Sequence, residues 1–249
     1  MADRAASPMA RPSSMSLRTP DLEAAQRYYP AVFPWTLRRD AEEGGTASIR
    51  CAEALVAQLV RDRSGDRSPR HFTVHFAVAN LGATLAAAVR LGASPVVEPG
   101  REGAPRVVLL VDPSGQRFGL ELALDPPAWG DREDLGLPQI FTLHTALLEA
   151  SCAFYAELLG WEFEAPEDPA VRHVGGLGGL VVMLRDAKRS LGDGESGYWE
   201  PSVLVHEVEA AARACEGAGG RIVAGGGAAD HAAILADPYG TTLAVHQGP

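Results

Sequence analysis

One feature narrows the possible folds more than any other: the sequence repeats itself. Asp112-Pro113-Ser114-Gly115 returns as Asp237-Pro238-Tyr239-Gly240, 125 residues on (112 to 237). Tyr28-Tyr29 followed by Val32-Phe33-Pro34-Trp35 returns as Phe154-Tyr155 followed by Leu158-Leu159-Gly160-Trp161, 126 residues on (29 to 155). Leu91-Gly92-Ala93, ahead of an apolar run, returns as Ala218-Gly219-Gly220, 127 residues on (92 to 219). Three separated markers at nearly one offset mean a tandem duplication. At roughly 100–200 residues per domain, a chain of 249 residues has room for both copies as domains.

Each copy spells β-α-β-β-β twice. In the first, residues 14–19 read as a strand, and Asp21 caps a helix over Leu22–Val32 with Glu23 in its first turn. Strands follow at Trp35–Arg39, Thr46–Cys51, Leu55–Val60 and His71–Val78, then an Ala-rich helix over Leu81–Leu91 that stops at Gly92. Strands at Pro95–Glu98, Arg106–Val111 and Arg117–Ala123 complete it, the last two joined by the D-P-S-G turn. The second copy reads Ile140–Thr145, helix Glu149–Leu159, strands near Glu162, Val171 and Leu180–Leu184, then Pro201–Val205, helix Val208–Ala218, and strands at Arg221, Ala232–Leu235 and Thr242–His246. The expected organisation is a disordered tail over 1–13, domains over 14–123 and 140–247, and a proline-bearing linker over 124–139.

Composition excludes several function classes. A formal charge of −10 with no basic, aromatic-interleaved cluster repels a phosphate backbone, so nucleic acid is not an expected partner. No run of about 18 uncharged apolar residues is present to span a membrane. The start, MADRAASPMARP, has no apolar core of a secretion signal, and cytoplasmic localisation is the expectation. Cys51, Cys152 and Cys215 are scattered and odd in number, a poor disulfide framework and a poor zinc site. The glycine runs at 175–179 and 225–227 lack the Lys-Ser/Thr of a phosphate loop, and no G-x-S-x-G or other recognisable nucleophile context occurs.

Taken in order, the motifs resemble the vicinal oxygen chelate superfamily of glyoxalases, extradiol dioxygenases and bleomycin-resistance proteins. The resemblance is carried by Asp21-Leu22-Glu23-Ala24-Ala25 with Tyr28-Tyr29 and Phe33-Pro34-Trp35, by Glu149-Ala150 with Phe154-Tyr155 and Leu158-Leu159-Gly160-Trp161, and by the two D-P-x-G turns. Pro34 departs from the glycine at that helix end, and Leu147 replaces the capping Asp. The resemblance implies an α+β fold of four β-α-β-β-β modules, their mixed sheets curled into two cups flanked by helices. Metal-binding members hold a divalent ion in the cup. Carried onto this chain, those positions are Ser14, Gln58, Thr73 and Gly119 in the first copy, and Ile140, Val182 or Met183, Glu200 and Ala244 in the second. Gly, Ile and Ala have no donor atoms in their side chains, so no family-type metal centre and no cofactor is expected.

Alternation then places candidate residues. His71 and His75 lie about 13 Å apart along a strand and cannot share a metal. The first cup is expected to be lined by Arg18, Gln58, Thr73, His75, Arg117 and Glu121. Burying that set calls either for a ligand or for mutual pairing, such as an Arg18–Glu121 ion pair. In the second copy, His144, Glu200 and His246 suit either an off-register metal site, an acid/base group, or plain hydrogen bonding at strand ends, and Trp199 is read as a rim aromatic that stacks on flat ligands.

The leading expectation is a metal-independent enzyme of specialised metabolism that binds a small organic molecule. His75 or Glu121 would transfer a proton while Arg18 holds an anionic oxygen; Gln58, Arg117, Thr73, His144, Trp199 and His246 would contact the ligand. A sequestering protein of the bleomycin-resistance kind is the alternative, and a metal-dependent glyoxalase or dioxygenase a third. The expected partners are a small-molecule ligand and a second copy of the chain in a homodimer.

Overall fold

Asp21 ends an extended segment and accepts from the Glu23 and Ala24 amides at 2.8 and 3.1 Å, which starts the first helix where the sequence placed it. In the computed structural model, which describes residues 9–39, 45–62, 71–96, 107–122, 129, 134–165, 167–191 and 197–248, the elements run β1 (Arg11–Thr19), α1 (Leu22–Val32), β2 (Thr36–Arg39), β3 (Thr46–Cys51), β4 (Ala54–Arg61), β5 (Thr73–Val78), α2 (Leu81–Arg90), β6 (Ser94–Pro95), β7 (Val107–Val111) and β8 (Arg117–Leu122). The second copy continues with β9 (Pro138–Thr145), α3 (Leu148–Leu159), β10 (Val171–Val174), β11 (Val181–Asp186), β12 (Gly197–Val205), α4 (Val208–Gly217), β13 (Arg221–Gly225), β14 (Ala232–Ala236) and β15 (Thr242–Gln247).

The fold is α+β, with two mixed sheets. Their strand orders are β2-β3-β4-β1-β5-β8-β7-β6 and β10-β11-β9-β12-β15-β14-β13. The module's signature is a first strand lying parallel to its last: β1 to β4, β5 to β8, and β12 to β15. A parallel neighbour requires a crossover, and the helix with the intervening hairpin supplies it. The third module is the thinnest. Its expected strand near Glu162 shrinks to one bridge, Phe163 to Val174, in a stretch where Pro166 and Pro169 follow in the sequence and offer no N–H to a ladder.

Two boundaries shift from the expectation. β1 begins at Arg11, not residue 14, because Ala10 is buried and its carbonyl accepts the Trp161 indole N–H at 2.8 Å. The segment read as linker is anchored where it is described: Trp129 stacks on Phe141 at 5.6 Å and donates to the Leu55 carbonyl at 3.0 Å. Residues 124–128 and 130–133 of it, and 1–8 of the tail, lie outside the described residues. His71 precedes β5 instead of opening it.

The chain forms two compact units that regroup the modules. One contains Met1–Ser13, Thr73–Pro127 and Thr142–Trp199; the other contains Ser14–Phe72, Ala128–Phe141 and Glu200–Pro249. In the first unit α2 packs on α3, and Phe76, Phe118, Tyr155, Trp161 and Trp199 make edge-to-face contacts in its core. In the second unit α1 packs on α4, and Tyr28, Tyr29, Phe33, Trp35 and Phe72 make the corresponding cluster.

The repeated markers meet inside these units. In one, Tyr155 donates to Asp112 Oδ2 at 3.0 Å; in the other, Tyr29 donates to Asp237 Oδ2 at 3.2 Å. The remaining oxygen of each Asp holds its own turn. Oδ1 of Asp112 accepts the Ser114 and Gln116 amides, and Oδ1 of Asp237 accepts those of Tyr239 and Thr241. The D-P-x-G motif is therefore both a turn former and a buried acceptor for a tyrosine of the other copy. Burial pushes both carboxyls above the usual aspartate range and both phenols above the usual tyrosine range, so the phenol keeps its proton and donates it. The third marker ends helices: Gly92 and Gly219 take φ of +95° and +89° just beyond α2 and α4.

Candidate functional site

Period-two alternation sorts β5 cleanly. Val74, Phe76 and Val78 face the core, which leaves Thr73, His75 and Ala77 on the opposite face. On β8, Phe118 and Leu120 are fully buried in the core, leaving Arg117, Gly119 and Glu121 on that same open face. The strands pair His75 with Gly119 and Ala77 with Glu121. The imidazole lies across the neighbouring strand, since a Cβ on Gly119 would come within 2.3 Å of His75 Cδ2. Gly119, useless as a metal ligand, is what makes room for the ring. His75 Nδ1 stands 3.9 Å from Glu121 Oε2, with 4% of the histidine side chain and 19% of the glutamate side chain exposed. Thr73 is half-buried on this face, and Arg117 is exposed where β8 starts.

Gln58 and Arg18 belong to the other unit. β1 and β4 set Ser16 beside Gln58 and Arg18 beside Val60, while Met15, Leu17, Ala57 and Leu59 form the core side. Gln58 is half-buried. Arg18 has a partner that the sequence did not suggest: Asp62, with Nη2 3.9 Å from Oδ1. Asp62 follows the end of β4 and is tied there by its amide, which donates to the Thr19 carbonyl at 2.7 Å.

The second copy corrects one expectation and adds a partner to another. Trp199 is not a rim aromatic. It is 1% exposed and packs edge-to-face against Phe76, Tyr155 and Trp161, because β12 starts at Gly197 and its alternation sends residue 199 into the core. The aromatic on the open face is its neighbour Tyr198, whose ring stacks on His144 at 4.8 Å. Sequence reasoning missed Tyr198, although correct strand limits would have found it. His246 is hydrogen-bonded through Nδ1 to Ser202 Oγ at 2.9 Å, and burial lowers its pKa below the usual histidine range. Glu200 is buried on the same face of β12 as Ser202.

Among the described residues, no group of three His, Cys, Asp or Glu side chains could hold a metal ion. The reading of His144, Glu200 and His246 as an off-register metal site therefore fails. Of the strand positions at which the resemblance expects metal ligands, Gly119, Ile140 and Ala244 have no side-chain donors, and the rest supply one carboxylate, Glu200, and no imidazole, a poor fit to a divalent ion. The three cysteines are buried and unpaired with one another, and burial raises the Cys152 thiol to about 11 and the Cys215 thiol above its ordinary range, which suits packing better than nucleophilic chemistry. No described helix is long and apolar enough to cross a membrane.

Comparisons with known proteins agree with this architecture. Among solved structures, the chain is similar to a Mn(II)-bound glyoxalase from Novosphingobium aromaticivorans, with TM-score 0.64 and 15% identity over 97% of this chain and 82% of that one. It is similar to a 2,3-dioxygenase from Pseudomonas sp. KL28, with TM-score 0.67 and 15% identity over 98% and 94% of the two chains. An extradiol ring-cleaving dioxygenase from B. fuscum matches with TM-score 0.64 and 15% identity over 98% of this chain and 73% of that one. At such identities the likeness shows the fold alone. No curated protein matches the chain. The model of the glyoxalase-like domain family matches residues 14–120 and again 140–246. With most of its length covered by those two matches, and with its sheets built from parallel-closed modules, the chain belongs to the glyoxalase-like domain family, in the vicinal oxygen chelate fold.

Proposed function

We propose that this protein binds a small organic molecule on the open face of β5 and β8 and moves a proton on it with His75 and Glu121, without a divalent ion. The observation that carries this reading is the imidazole laid over Gly119 with a carboxylate 3.9 Å from its Nδ1. A buried histidine beside a carboxylate is the composition of a general acid/base pair, able to act on a ligand proton brought within hydrogen-bond reach of the ring. The donor set supports independence from metal, since Gly119, Ile140 and Ala244 at those strand positions have no side-chain donors. A tailoring step in specialised metabolism is the setting we favour.

The stacked His144–Tyr198 pair favours a second reading: capture of a flat ligand with no chemistry. One set of measurements separates the two. The purified full chain is screened by thermal shift against small organic acids and phenols, with metal content measured before and after chelation. The expected result is a binder whose affinity survives chelation and falls about tenfold, or about 1.4 kcal/mol, in His75→Ala, with a much smaller loss in His144→Ala. Loss of binding in His144→Ala alone would favour sequestration. Stoichiometric metal, whose removal abolishes binding, would overturn both.

A further inference from the structure

Ser202 and His246 come from strands separated by the whole of α4 and two further strands, and no sequence motif announces them. The parallel register of β12 and β15 sets Ser202 beside Ala244 and Leu204 beside His246, so serine and histidine share one face. On the opposite face, Val203, Leu243 and Val245 are fully buried and hold both strands in place. Along the two strands the dyad is flanked by Leu204 and Ala244, and β14 sets Ala232 and Ile234 beside β15. The one carboxylate the strand adds to this face is Glu200, on the far side of Ser202 from His246. A hydroxyl 2.9 Å from an imidazole nitrogen, held on two paired strands, is the arrangement of an activated nucleophile with its base. Burial lowers the imidazole's pKa and so favours its neutral form, the one that accepts a proton.

We propose that Ser202 is a nucleophile, with His246 as its base, that accepts an acyl group from an uncharged activated ester of a small acid. Ser202 Oγ bonds to the acyl carbon as its proton passes to His246 Nδ1. The tetrahedral adduct then breaks its C–O bond to the alcohol, and His246 returns the proton to the departing oxygen. Water next attacks the Ser202 ester; His246 takes the water's proton and passes it to Ser202 Oγ as the acid leaves. The aliphatic neighbours Leu204, Ala232 and Ile234 suit an uncharged donor. This activity is independent of the His75 reading, on a different pair of strands.

The test is p-nitrophenyl acetate with the full-length chain, following p-nitrophenolate release, intact mass and the mapped site of acetylation. Lys188 is the only lysine in the sequence, so background acetylation of amines is confined to it and the amino terminus, and site mapping separates any Cys, His or Tyr adduct from Ser202. The expected result is a burst with one acetyl group on Ser202, absent in a Ser202→Ala variant that keeps the wild-type far-UV spectrum and melting curve. His246→Gln, with Ser202 intact, should slow acylation about a hundredfold. Acetylation restricted to Lys188 and the amino terminus, equal acylation in Ser202→Ala, or an unchanged rate in His246→Gln would each overturn the proposal.

Discussion

The two compact units share a frame and differ on their open faces. Each closes a tyrosine onto an Asp-Pro turn, Tyr155 on Asp112 in one and Tyr29 on Asp237 in the other. Each also ties a tryptophan indole to a backbone carbonyl, Trp161 to Ala10 and Trp35 to Gly136. The faces turned away from these cores have diverged. One carries His75 over Gly119 beside Glu121; the other carries Ser202 bonded to His246. The tyrosine–aspartate pairs resist change because an orphaned partner costs its full desolvation and the turn amides lose their acceptor as well. Duplication has thus kept the frame while the faces have diverged.

The sharpest way to break this comparison is at the frame. Asp112→Ala and Asp237→Ala each strand a buried tyrosine hydroxyl and two turn amides, and each should cost about 3 kcal/mol in urea denaturation. Near-equal losses would support equivalent frames; a loss at one position only would mean the likeness is geometric and not energetic. Gly119→Ala tests the face. Its new methyl meets the imidazole ring within the strand register, so about 1–3 kcal/mol of stability should go, together with a displaced His75 in a crystal structure or its NMR shifts. A variant as stable as the parent, with His75 unmoved, would show that the ring does not need the glycine.

The smallest effect is a pH dependence. Asp237 is raised by burial, so its folded form binds a proton more readily than the unfolded chain, whose aspartates stay near 3.8. Its unfavourable charge is relieved as the pH falls through the folded value toward 3.8, so this residue makes the fold relatively more stable on acidification. Asp21 acts the other way. Its carboxylate is lowered, chiefly by the Ala24 amide, and its contribution is present above 3.8 and lost below. In Asp237→Asn, stability measured over a pH series should gain less on acidification than in the parent. A parallel pair of curves would mean that the buried carboxyl does not titrate in that window.

The limits of α1 were legible because an Asp cap and an amphipathic run are local signals. The face carrying His75 and Glu121 was legible for a similar reason, since alternation on β5 and β8 is unambiguous between Val74-Phe76-Val78 and Phe118-Leu120. Trp199 was not. With the start of β12 placed at Pro201, residues 198 and 199 had no assigned face, and the larger apolar ring was given to the ligand when the core had claimed it.

What the sequence determined alone was the duplication, the family and the module order, because these rest on periodicity and on markers that repeat along the chain. Which marker touches which was decided only in three dimensions. Tyr29 lies 208 residues from Asp237, and Ser202 lies 44 from His246; no period of 2 or 3.6 reaches that far. Local pattern reports the face of each strand. Only the folded chain, by choosing which strands and turns become neighbours, decides what that face meets.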